Sequence, residues 1–200
     1  MRIPVFPLPN VVFFPKSRLP LHIFEVRYRK MVTDGLEGNK ILGMMLIKPG
    51  WAQGRIEYYE IGGLGHISSV VKYSDKTMDI TLQGLNRYRV RRYIRKSPYL
   101  IAEVEIIEDA YWEDSPAIQR TSEEMIQLFE RTLYKKDEQA RQLIMSQLNL
   151  LKDVSDITNF VGSVLGGKCR LRQRLLELSN PIERIQLLMS IFRSELAELN

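Results

Sequence analysis

The sequence predicts an α+β protein in which a small β-barrel or strongly bent sheet precedes a bundle of helices. The apolar residues mostly follow the short runs and alternation of strands up to about residue 107, and they follow the helical period of 3.6 after it. The charge changes at the same point. Residues 1–107 carry 17 Lys or Arg against 9 Asp or Glu, whereas residues 108–200 carry 12 against 15. We therefore predict two domains, 1–107 and 108–200.

The first strands are predicted from short apolar runs that prolines interrupt. Ile3–Phe6 and Val11–Phe14 are such runs, and prolines beside them are typical of edge strands and tight corners. One helix is predicted over Phe24–Val32, where apolar residues recur at helical spacing. Gly35 and Gly38 are expected to end this helix, because glycine commonly terminates helices.

The remaining strands are longer. Ile41–Ile47 is a continuous apolar run, which is typical of a strand buried on both faces. Residues 57–73 and 77–92 predict two strands joined by a short polar turn, and Gly84 predicts a bulge or sharp bend in the second of them. Tyr99–Ile107 alternates apolar and acidic residues and predicts the last strand.

Helices are predicted throughout the second half of the chain. Ser115–Pro116 combines a capping residue with proline at the first helical position, and it opens a helix that is predicted to run toward Lys136. Residues 157–165 carry an apolar stripe that Gly166–Gly167 ends, and Asn180–Pro181 opens the last helix. Four or five amphipathic helices are expected to pack on one another or on the sheet.

Composition places the chain among globular proteins. An apolar fraction of 44% and a charged fraction of 26% are ordinary for a folded domain of 200 residues. The apolar runs are shorter than the roughly 20 residues that a membrane-spanning helix needs, and prolines interrupt the apolar N-terminus where a signal peptide would lie. The single cysteine, Cys169, excludes an intrachain disulfide. We expect a cytoplasmic protein without membrane association.

Four segments of the first half resemble a known family. They are residues 4–15 (PVFPLPNVVFFP), 19–29 (LPLHIFEVRYR), 60–67 (EIGGLGHI) and 83–90 (QGLNRYRV). Together they are similar to the substrate-binding domain family of Lon proteases, which includes stand-alone bacterial proteins and the corresponding domain of cereblon. The sequence has Val26 where the family pattern usually has proline, and Lys16 where it usually has glycine.

The resemblance implies a PUA-like mixed β-barrel with one short helix, followed by a C-terminal helical bundle. It also implies a non-catalytic role in engaging polypeptides. Proteolysis is not implied, since the ATPase and Ser–Lys protease domains of Lon need several hundred residues beyond Asn200.

No catalytic, metal or cofactor site is predicted from the residues themselves. Gly162–Cys169 matches most of a phosphate-loop motif, but Cys169 stands where a Ser or Thr hydroxyl must hold Mg²⁺, and the segment before it has a helical pattern. His22, His66 and Cys169 lie too far apart in sequence to form a short ligand pair. His22 is instead expected to be hydrogen-bonded and half-buried.

Two binding surfaces are predicted. The first, for polypeptide, combines aromatic side chains with charged neighbours, as protein-binding hot spots do. Its members are Phe24, Glu25, Arg27, Tyr28 and Trp51. For Phe24 and Tyr28, the spacing of one helical turn favours a purely structural role, in which both rings pin the short helix to the barrel. Trp51 lies in a loop rich in helix- and strand-breaking residues, where exposure is expected.

The alternative partner is nucleic acid. A cluster of cations along one strand, with Tyr93 and Tyr99 beside it, offers charge for phosphates and rings for base stacking. The cluster consists of Arg87, Arg89, Arg91, Arg95 and Lys96. A structural role for Arg87 is the competing interpretation, because it belongs to the family pattern of proteins that engage polypeptide.

Overall fold

The computed structural model describes residues 1–50, 56–133, 137–166 and 169–198. The strands are β1 (Arg2–Leu8), β2 (Arg18–Ile23), β3 (Ile41–Leu46), β4 (Ile61–Lys72), β5 (Met78–Arg95) and β6 (Leu100–Ile107). The helices are α1 (Val26–Glu37), α2 (Pro116–Thr132), α3 (Glu138–Leu148), α4 (Val154–Val164), α5 (Cys169–Glu177) and α6 (Pro181–Ala197). The predicted α+β class is confirmed.

The strands form one mixed sheet in the order β2-β5-β4-β3-β1-β6, and β5 also pairs with β6. Five strands therefore close into a ring, and β2 is added outside it. β1 and β3 run parallel, and the other pairs are antiparallel. The length of β5 allows it to close the ring and also to hold β2, because its first third pairs with β2 while its second half pairs with β6.

A bulge lies at the predicted position beside Gly84. The register between β4 and β5 shifts there, since Gly65 pairs with Gly84 whereas Leu64 pairs with Asn86. A Cβ atom at Gly84 would overlap the carbonyl oxygen of Phe14. Glycine is needed because the chain of Phe14 crosses directly over the bulge.

The predicted strand over Val11–Phe14 is wrong. These residues belong to no strand, although Val12, Phe13 and Phe14 are buried. Val12 and Phe14 join the core formed by the helices, and Phe13 joins the core beneath α1. The side chains of this segment alternate between the two cores as those of a buried strand do, but its backbone belongs to no ladder of the described sheet.

The first helix extends further than its pattern predicts. It begins at Val26 and continues through Gly35 to Glu37, with Gly38 as its cap. Gly35 is buried and lies close to Ile67 and Leu42, so the small residue allows the helix to pack near the sheet. The predicted helix is confirmed in position, and of the two glycines that were expected to end it, Gly38 caps it whereas Gly35 lies inside it.

The helices of the second half share their core with the sheet. Buried residues of α2, α4, α5 and α6 form one cluster with Val12, Phe14, Leu46 and Ile61. The side chains of Ser115 and Asn180 accept hydrogen bonds from the first turns of α2 and α6, as the capping patterns predict. Helix α2 ends at Thr132, before Lys136, which lies outside the described residues.

Gly162 lies inside α4 and packs against the ring of Phe14. The phosphate-loop-like stretch therefore begins within a helix, and this agrees with its interpretation as a helix end. None of the described helices is long and apolar enough to span a membrane.

Candidate polypeptide-binding surface

Phe24 and Tyr28 occupy different environments. Tyr28 is buried, and its ring centroid lies 4.1 Å from that of Phe6. Phe24 is 64% exposed. The prediction that both rings pin the helix therefore holds for Tyr28 and is wrong for Phe24. The reason is that α1 starts only at Val26, so Phe24 is not one helical turn before Tyr28.

Phe24 belongs to a surface on which exposed aromatic and aliphatic side chains lie beside the Asp79 carboxylate. The ring centroid of His22 lies 6.2 Å from that of Phe24 and 6.4 Å from that of Tyr73. His22 of β2 pairs with Asp79 of β5, which pairs with Val71 of β4, so these side chains lie on one face. Val71 and Tyr73 are both exposed. We call His22, Phe24, Val71 and Tyr73 the Phe24 surface.

Asp79 fixes the two polar rings of this surface. Its carboxylate lies 2.6 Å from Nδ1 of His22 and accepts a hydrogen bond of 2.5 Å from the Tyr73 hydroxyl. The Tyr73 hydrogen bond, followed by that of His22, lowers the pKa of Asp79 below its ordinary value. The same bond raises the pKa of the Tyr73 hydroxyl. His22 is hydrogen-bonded as predicted, but its side chain is more exposed than the half-buried state we expected.

Glu25 and Arg27 bind each other beside this surface. Their side chains form an ion pair at 2.8 Å, and the Arg27 guanidinium lies 4.5 Å above the ring of Tyr28. Burial is the main cause that raises the pKa of Tyr28. Arg27 therefore has both an acidic and an aromatic partner within the chain. Trp51, the last member of the predicted surface, lies outside the described residues.

Arg87, a member of the predicted nucleic-acid cluster, lies in the interior with 2% of its surface exposed. Its guanidinium donates to the carbonyl oxygens of Leu176 and Leu178, at 3.2 and 2.6 Å, and to the carboxylate of Asp109. Burial lowers the pKa of Arg87 to about 10 and Asp109 opposes this, so the group stays charged at neutral pH. Because the end of α5 covers it, Arg87 cannot reach a phosphate on the surface.

Three other arginines of β5 lie at the surface and pair with glutamates of β6. Arg89 and Arg91 both pair with Glu105, while Arg92 pairs with Glu103. Cross-strand pairs therefore offset part of the positive charge along β5.

The remaining cations of the cluster lie near aromatic rings. The guanidinium of Arg95 lies 5.1 Å from the ring of Tyr99. Lys96 and Arg91 line a cavity of about 400 Å³ that also contains the side chains of Tyr58 and Tyr93.

Sequence reasoning missed Val71, Tyr73 and Asp109. A signal existed for the first two, since apolar Val70 and Val71 stand side by side and one of them must face outward in a strand. Asp109 follows the last strand and carries no local signal, because its partners are far away in sequence. Within the described ranges, no three His, Cys, Asp or Glu side chains come close enough together to hold a metal ion.

Comparison with known proteins gives one consistent result. Residues 2–194 match the sequence model of the ATP-dependent protease La (LON) substrate-binding domain. A Lon protease of Dictyoglomus thermophilum is 27% identical over 92% of the chain, and Lon protease 2 of Herpetosiphon aurantiacus is 28% identical over 98%. The chain covers 23% and 24% of these proteins, so it spans about a quarter of their length.

Solved structures show the same fold. A Lon N-terminal domain protein from Xanthomonas campestris superposes with a TM-score of 0.71 at 22% identity, covering 95% of this chain and 98% of that one. The N-terminal domain of a Mycobacterium avium complex Lon protease gives 0.75 at 17% identity, covering 96% and 98%. With its sequence matched from residue 2 to residue 194, the chain belongs to the family of Lon substrate-binding domains.

Proposed function

We propose that the protein is a polypeptide-binding module that holds apolar segments of its partners on the Phe24 surface. The observation that carries this proposal is the exposure of Phe24 beside Tyr73 and Val71 on one face. Exposed aromatic groups that are already held in place contribute strongly to protein binding, because little side-chain entropy is lost. Membership of a family described as substrate-binding supports the same role.

We further infer that the ring of five strands is the PUA-like barrel of this family and that α2–α6 are its C-terminal bundle. The division into domains 1–107 and 108–200 belongs to the same proposal. The role assigned to the chain is binding alone, in the cytoplasm, with no catalytic residue, metal or cofactor. The activity of whole Lon proteases is not assigned to it.

The test is a titration with a fluorescently labelled, permanently unfolded polypeptide, followed by anisotropy. We expect Phe24→Ser and Tyr73→Ser each to weaken binding by about tenfold, since truncating a hot-spot aromatic costs 1–2 kcal/mol or more. Tyr111→Ser is the matched control, because Tyr111 is 92% exposed and precedes α2, away from this surface in sequence. Unchanged affinity in both surface variants would contradict the proposed site, and absence of binding to the wild type would contradict the function.

Nucleic-acid binding is the second candidate, at the cavity beside Arg91 and Lys96. Tyr58 and Tyr93 place two rings 5.9 Å apart there, and the cavity is lined by four cations and two glutamates. Single-stranded RNA is then expected to bind with an affinity that falls as salt rises, and Arg91→Ala with Lys96→Ala is expected to reduce that slope. Binding that is absent or independent of salt would remove this candidate.

A further inference from the structure

The outer half of β4 is paired on one side only. On the side of β3, the last paired residues are Ile41 and His66, and the N–H of Ile67 donates to the carbonyl of Lys40. Toward β5, the pairing continues to Lys72. Among the residues that the structure describes, no strand lies beside Ser68–Lys72 on the side away from β5. We call this side the β4 edge.

The backbone groups that face this edge follow from the alternation of an antiparallel ladder. The N–H of Tyr73 donates to Thr77 across the turn, at 3.0 Å, so Tyr73 faces β5. Every second residue does the same, which places the groups of Val71 and Ser69 toward β5 as well. The N–H and C=O groups of Val70 and Lys72 therefore point outward.

The other free edge of the sheet, on β2, is protected in a way that the β4 edge is not. The N–H of Gly84 donates to the carbonyl of Ser17, at 2.8 Å, and this places Pro20 among the outward-facing residues of β2. Proline has no N–H, so the outer side of β2 lacks a donor at its centre. Proline at such a position blocks pairing with a further strand. Ser68–Lys72 contains no proline.

Apolar side chains stand beside the β4 edge. Val71 and Tyr73 are exposed, and both belong to the Phe24 surface. A strand added next to β4 would place every second side chain on that face, in contact with Val71 and Tyr73. Backbone pairing and apolar contacts would then act together.

The charge near this edge is positive. Lys40, Lys72 and Lys76 form no ion pair within the part of the chain that the structure describes. Two carboxylates also lie near the edge and keep their charge, since Asp75 accepts from the backbone and hydroxyl of Thr77 and Asp79 accepts from the Tyr73 hydroxyl, so the three lysines exceed them by one charge. An acidic strand would therefore meet complementary charge.

We propose that the β4 edge binds an extended polypeptide segment with alternating apolar and acidic residues, which joins the sheet as an additional strand. This inference rests on the proposed function and specifies how the bound chain is held. A second copy of the protein is a poorer occupant, because pairing two β4 edges would bring two positively charged edges together and supply no acidic partner.

The test uses a labelled synthetic peptide of alternating valine and glutamate residues, and the same peptide N-methylated at two consecutive central residues. Methylation removes a donor from both edges of the peptide and keeps its side chains. We expect the methylated peptide to bind at least about tenfold more weakly, since strand addition depends on main-chain hydrogen bonds. A valine–lysine peptide is expected to bind more weakly as well, because it carries positive charge, as the lysines near the edge do.

Variants of Lys72 separate the contribution of its backbone N–H to binding from the contribution of its side-chain charge. Lys72→Pro removes an outward N–H and keeps the bonds to β5, because Lys72 does not face β5. We expect it to weaken binding of the unmethylated peptide by at least about tenfold, whereas Lys72→Gln, which keeps the N–H, weakens it by less than about threefold. Circular dichroism checks that Lys72→Pro is folded. If it is not, the comparison of the two peptides on the wild type decides.

Each outcome decides the proposal. Equal binding of both peptides would overturn strand addition and leave the proposed function standing. Binding of the unfolded polypeptide without binding of the valine–glutamate peptide would also overturn strand addition. If neither binds, the proposed function itself fails. A dimer of the wild type that Lys72→Pro abolishes would assign the edge to a second copy and overturn the acidic partner.

Discussion

At the scale of single residues, Asp109 makes the most consequential contacts. Its carboxylate accepts hydrogen bonds from Arg87 and Ser155, and it pairs with Arg184 at 2.5 Å. Both arginines are almost completely buried, and Arg184 also donates to the side chain of Asn159 at 2.7 Å. One carboxylate thus joins β5, α4 and α6.

Asp109→Ala is therefore expected to destabilise the protein strongly. It would leave two buried guanidinium groups without their acidic partner, and breaking such a buried pair costs about 3 kcal/mol or more. The free energy of unfolding in urea measures this. Asp114→Ala is the matched control, because Asp114 is exposed and, among the described residues, accepts hydrogen bonds from Gln119 alone, and we expect a change below about 0.5 kcal/mol. Similar stabilities of the two variants would contradict the role of Asp109.

Tyr73→Phe is expected to raise the pKa of Asp79 toward 3.8, because the Tyr73 hydrogen bond is the largest cause of its lowered pKa. In the wild type, the folded state has the lower pKa. The stabilisation from this carboxylate is therefore complete above 3.8 and is lost as pH falls through the folded value. NMR titration of the Asp79 side chain measures the shift. Tyr111→Phe should leave the titration unchanged, and an equal shift there would refute the assignment.

At the scale of elements, the bulge at Gly84 controls how β5 turns from one partner to another. Gly84→Ala is expected to destabilise the protein by about 2 kcal/mol, because the new methyl group must displace the backbone of Phe14. Urea unfolding measures the loss. Gly166→Ala serves as control, since a Cβ atom there meets nothing within 4 Å. A Gly84→Ala variant as stable as this control would contradict the close approach.

Patterns of apolar residues predicted most elements because those elements bury one face or both. The run Ile41–Ile47 and the alternation of β6 both lie where their patterns place them. β2 escaped prediction although Leu19, Leu21 and Ile23 alternate with less buried residues, because a proline within such a short run is uncommon in strands other than edge strands. Val11–Phe14 was predicted as a strand because its burial, in two different cores, resembles that of a strand in sequence.

At the scale of the whole molecule, contacts between the sheet and the helices join the two proposed domains. The side chain of Gln173 donates to the carbonyl of Ile61, at 3.0 Å, and Arg172 donates to that of Val12, at 3.1 Å. The core cluster of the helices also includes Phe14 and Leu46. Separating the two parts would expose this shared apolar surface and leave buried polar groups unpaired.

We therefore expect the two parts to unfold together. Each of two variants, Trp51→Phe and Trp112→Phe, keeps one of the two tryptophans and so reports on one part. Urea unfolding followed by fluorescence should give the same midpoint in both, and the midpoint should agree with that from far-UV circular dichroism. Two distinct midpoints would show that the parts unfold independently.

The sequence by itself determined the α+β class, the change of period near residue 107, the capped starts of α2 and α6, and the family, because all of these depend on local pattern. It also placed Phe24 within the distinctive 19–29 segment. Only the tertiary structure decided that Phe24 is exposed, that Arg87 is buried, and that Val71 and Tyr73 lie beside His22. Those facts depend on which strands pair and which helix covers them, and such contacts join residues that are far apart in sequence.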